Sequence, residues 1–70
     1  MIDEVCAIAR SQWELIASIE NVPYEEVIRA TRDQVKNDPE ILDKLEYGLI
    51  SFYPQYKEYA RTAIEKVLEL

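Results

Sequence analysis

Residues 38–70, DPEILDKLEYGLISFYPQYKEYARTAIEKVLEL, carry the longest apolar repeat in the chain, and their reading decides the fold class. The start is well marked. Asp38 can accept a hydrogen bond from an orphan backbone N–H, Pro39 occupies a first-turn position that needs no donor, and Glu40 suits the positive helix end. From there Ile41, Leu42, Leu45, Leu49, Phe52, Tyr56, Tyr59, Ala60, Ala63, Val67 and Leu70 recur mostly at spacings of three and four, the signature of one helical face. Pro54 interrupts this run, because a proline inside a helix removes a hydrogen bond and clashes with the carbonyl of Ile50. At roughly 100° per residue the stripes before and after Pro54 nevertheless fall in the same arc, with the proline opposite. Two geometries fit: one long helix bent at Pro54, or two helices joined at Tyr53.

Working back toward the N-terminus, residues 2–19 read as a first helix. Ile2, Val5, Cys6, Ile8, Ala9, Trp13, Leu15, Ile16 and Ile19 span an apolar arc of roughly 180°, wide enough to require two neighbours. Gln12 falls near the middle of that arc, where an unpaired amide would cost about 1–3 kcal/mol, so it is expected to find a partner. Trp13 and Cys6 read as core. Asn21, Val22 and Pro23 end this helix, and Pro23 with Glu25 and Glu26 opens a second one reaching about Asn37. Its apolar face (Tyr24, Val27, Ile28, Thr31, Val35) is narrow, and Arg29, Arg32 and Lys36 line the opposite side, interleaved with Glu25 and Asp33. Helices near 2–20, 23–37 and 39–69 make the chain all-α, a small three- to four-helix domain with a long C-terminal helix kinked or broken at Pro54.

Seventy residues form a single domain, 1–70, whose core has little stability to spare, so self-association as a homodimer or higher oligomer is expected. Fourteen acidic against eight basic residues give a net charge of -6, which opposes general nucleic-acid binding and favours basic partners. No apolar run approaches the ~20 residues of a membrane span, and Met1 leads into Asp3 and Glu4, unlike a basic leader segment. One cysteine precludes an internal disulfide; together these features give a cytoplasmic expectation.

The chemistry-bearing residue types are sparse. Without histidine there is no His-based triad or two-His metal site, and one cysteine excludes thiolate zinc and paired-cysteine redox motifs within a chain. The only glycine, Gly48, is too little for a phosphate-cradling loop, and beside the third helix's stripe it would let another helix approach closely. No catalytic residue, metal site or cofactor is predicted; the sequence points to a protein that acts by binding. The aromatic cluster Tyr47, Phe52, Tyr53, Tyr56 and Tyr59 is its most distinctive feature. Phe52, Tyr56 and Tyr59 share the core phase, whereas Tyr47 and Ile50 fall on the far side of the helix near Asp43, with Tyr53 at the margin. Tyr47, Ile50, Tyr53 and Asp43 therefore form the candidate interface.

Leu49 to Pro54, Leu-Ile-Ser-Phe-Tyr-Pro after an acidic segment, resembles the tyrosine-tyrosine-proline recognition tract of nuclease-colicin immunity proteins, which are small acidic helical proteins. In that family a glycine- and aspartate-rich loop follows; here Gln55, Tyr56, Lys57 and Glu58 are expected to run on into helix, and the chain is not assigned to the family. The leading expectation is an acidic protein-binding inhibitor, immunity or adaptor module using carboxylates around tyrosine anchors. The alternative is a small-ligand or nucleotide-binding homo-oligomer with a pocket between protomers, using Arg29, Arg32, Lys36, Arg61 and Gln12. A purely structural homo-oligomer is the third.

Overall fold

The C-terminal stripe is cut in two at Tyr53 and Pro54. In the computed structural model, which describes residues 1–70, the chain forms α1 (Ile2–Glu20), α2 (Tyr24–Asn37), α3 (Glu40–Phe52) and α4 (Ala60–Leu68). Between α3 and α4 lie a single 3₁₀ turn, Pro54–Tyr56, and a further turn through Tyr59. There is no strand, and the fold is the small all-helical domain expected from the sequence. Of the two geometries left open at Pro54, the break is the one adopted. Tyr53 takes φ -134° and ψ 67°, outside the helical region, as steric pressure from the following proline requires.

The other boundaries follow from local chemistry. Asn21 closes α1 in the left-handed region at φ 58°, which asparagine tolerates, and the Val22 N–H returns to the Ala17 carbonyl at 3.0 Å. Pro23, extended at φ -62° and ψ 144°, immediately precedes α2, which therefore begins one residue later than expected. At the next junction Asp38 Oδ1 accepts the Glu40 N–H at 3.2 Å, the start signal anticipated for α3.

Helix α4 is the hub: it packs on α1, α2 and α3, while α1 and α3 scarcely touch each other. Small side chains make that possible. Cys6 and Ala9 of α1 and Ala60 and Ala63 of α4 all lie in the buried core, and the Cys6 thiol points at the Ala63 carbonyl, Sγ to oxygen 3.9 Å. Cys6 is thus core, as anticipated.

The break moves the edges of the stripe. In α3, Leu42, Leu45 and Leu49 keep the core phase read from the sequence, with Tyr53 beside them, while Phe52, placed in the core by that reading, is 77% exposed. Ile50, read as an outer-face residue, is instead half-buried and packed against the core. In α4, Ile64 and Leu68 are buried although the stripe omitted them, while Tyr59 and Leu70 lie at the surface. Gly48 brings no helix close, for a Cβ there would meet nothing within 4 Å.

Candidate binding surface

The wide apolar arc of α1 is only half used. Val5, Cys6, Ala9, Trp13 and Ala17 face inward and are buried against α2 and α4. The remaining flank, about 60–160° around the helix from Trp13, carries Ile16, Gln12, Ile19, Ile8 and Leu15. Because α3 approaches α1 less closely than α2 and α4 do, much of this flank is uncovered: Leu15 is 62% and Ile19 75% exposed, and only Ile8 is half-buried. Two large aliphatic side chains one helical turn apart in water are an unfavourable surface for an isolated chain, and a contiguous patch of this kind marks interaction sites.

Three hollows lie in series along that flank. The first, 380 Å³, is lined by Ile8, Ser11, Gln12, Leu15 and Tyr53. A narrow slot of 80 Å³ follows, running down between Gln12, Trp13 and Ile16 of α1 and Leu45 and Leu49 of α3, with Ile64 of α4 among its walls. Trp13 and Ile16 also wall the third, an open cleft of 340 Å³ between α1 and α2. Glu20 and Glu26 stand in that cleft beside Val22 and Val27. Neither carboxylate is in an ion pair, since the chain's ion pairs join Arg32 to Glu69 and Arg61 to Asp43 and Glu46.

The residues singled out in the sequence are dispersed relative to this surface. Tyr53 reaches it, lining the first hollow and lying 6.2 Å, ring to ring, from Tyr56. Tyr47 is 75% exposed on the other side of α3, and Ile50 is turned toward the core. Asp43 and Arg61, which belonged to rival readings, meet each other: the Arg61 guanidinium bonds Asp43 and, with Nε at 3.0 Å, Glu46, and these acceptors hold it even more firmly protonated than usual. Arg32 donates from Nε to the Leu68 carbonyl at 2.6 Å and from Nη2 to Glu69 Oε2 at 3.2 Å, closing the end of α4. Arg29 and Lys36 are exposed in no ion pair. Gln12 sits exposed at the mouth of the slot, where water satisfies its amide, so the internal partner expected for it is not required.

The missed surface had a signal in the sequence, the 180° arc itself: α2 and α4 supply the two neighbours it demanded and still leave one flank of it uncovered. No three His, Cys, Asp or Glu side chains converge to hold a metal ion, and no helix is long and apolar enough to cross a membrane. No protein-family model, curated protein or solved structure matches the chain.

Proposed function

We propose that the chain is a non-catalytic binding module of inhibitor or adaptor type, which docks a basic partner protein on the open flank of α1. The observation that carries this reading is the uncovered row Leu15, Ile16 and Ile19 beside unfilled hollows. The net charge of -6 supports the sign of the partner, because opposite charge steers encounter and like charge opposes it. The lone buried Cys6 accords with a reducing, cytoplasmic setting. The small-ligand alternative loses Arg32 and Arg61, which spend donors inside the chain, and keeps only Arg29 and Lys36 of its cations free of ion pairs.

Site-specific photo-crosslinking in the host cell tests the proposal. A photoreactive residue at Leu15 or Ile19 is expected to give one discrete adduct heavier than a homodimer, with none from the same probe at Arg29. Absence of any adduct overturns the binding reading. An adduct of twice the chain mass replaces it with the structural homo-oligomer.

A further inference from the structure

The three hollows are joined by shared walls: Gln12 belongs to the first and the slot, and Trp13 and Ile16 belong to the slot and the cleft. Together they follow α1 from Ile8 to Glu20, about 18 Å at the rise of a helix, which is the length of some three helical turns. The slot, at 80 Å³, is far below the roughly 300–1,000 Å³ of a small-molecule pocket and has room for a single side chain. Its floor is aliphatic. The cleft beyond it ends in Glu20 and Glu26, two carboxylates with no cation of the chain to pair with.

Resting on the binding reading above, we propose that the occupant is a basic amphipathic helix of the partner, laid along α1. One apolar side chain of that helix enters the slot between α1 and α3, a neighbour one turn away rests against Leu15 and Ile19, and lysines or arginines at its rim meet Glu20 and Glu26. Helices recognised in grooves bind in this way, through apolar anchors at three- and four-residue spacing. Charge disfavours a second copy of the chain as occupant. It would bring its own Glu20 and Glu26, and a net charge of -6, against the same two unpaired carboxylates.

Trp13 is the sole tryptophan and lines both slot and cleft, so its fluorescence reports the site directly. The full chain is titrated with three synthetic peptides long enough for about three to four helical turns: an amphipathic leucine–lysine helix, the same composition in scrambled order, and a leucine–glutamate helix. The amphipathic lysine peptide is expected to shift Trp13 emission and saturate at one per chain, at least about tenfold more tightly than the scramble. The glutamate peptide should not saturate. Ile19→Asp, at an exposed position that leaves the core intact, should weaken binding about tenfold or more, and Glu20→Gln with Glu26→Gln should flatten its salt dependence.

Equal binding of the ordered and scrambled lysine peptides would reduce the effect to bulk charge and overturn the proposal. Binding unmoved by Ile19→Asp would do the same. A wild-type dimer in light scattering that Ile19→Asp dissociates would make a second copy the occupant. If the peptides fail while the Ile19 photo-adduct persists, the helical basic ligand is wrong and the docking surface stands; if both fail, the docking surface falls as well.

Discussion

Tyr24 stands where α2 passes α1, half-buried, and burial raises its phenol above the ordinary value of 10.0; Arg10 pulls it down, and Glu14 and Glu25 push it further up. Above the unfolded value the unfolded chain gives up this proton while the folded chain keeps it. The linked stability is therefore complete below pH 10.0 and is lost as pH rises toward the folded value. Tyr24→Phe is expected to remove that part of the alkaline loss, read as the difference between wild-type and variant urea midpoints across pH 9–11. Gly48 offers the opposite kind of test, because its backbone is helical and a methyl group would enter open space. Gly48→Ala is expected to stabilise the fold by about 0.5–1 kcal/mol in chemical denaturation. The residue type was legible in the sequence and its role was not: a lone glycine beside an apolar stripe looks the same whether a helix approaches it or water does.

At the scale of elements, the Tyr53–Tyr59 corner decides most of what the stripe alone could not. Apolar phase continues across Pro54 in the sequence, yet a chain leaving the helical region at Tyr53 has no obligation to keep it, and each half sets the edges of its own buried face. Phe52 leaves the core and Ile64 and Leu68 enter it for that reason, whereas α1 and α2, closed by Asn21 and opened by Pro23, lie within a residue or two of where capping chemistry put them. Pro54→Ala lifts the proline's pressure on Tyr53 but leaves Ala60 and Ala63 buried to hold the corner, so helicity by circular dichroism is expected to stay unchanged, at a cost of about 0.4–1 kcal/mol through a freer unfolded chain. Fusion into a single long helix would show as a rise in helicity. The far end of α4 is held from outside by Arg32, whose Nε meets the Leu68 carbonyl where the helix would otherwise leave it without a donor. Arg32→Ala is expected to cost about 1–2 kcal/mol and to speed amide exchange most in the last turn of α4.

For the whole molecule, fold class and charge could be read from the sequence because periodicity and composition are local properties. The open flank could not, since it depends on which pairs of helices fail to meet, and that is settled by the direction the chain takes after Pro54. Seen this way the surface is a by-product of topology: α4 occupies the middle, so α1 and α3 are held apart and the hollow between them stays open. The same central placement has a kinetic meaning for Cys6. Its thiol is sealed between α1 and α4, and α4 is joined to every other helix, so no small, local fluctuation brings the sulfur to solvent. Cys6 is consequently an internal clock for cooperative opening of the entire chain: labelling by an aromatic disulfide reagent at low denaturant should proceed in proportion to the unfolded population and slow by about tenfold for each 1.4 kcal/mol of added stability. A labelling rate indifferent to Gly48→Ala or Arg32→Ala would mean that α1 and α4 part company while the rest of the chain stays folded.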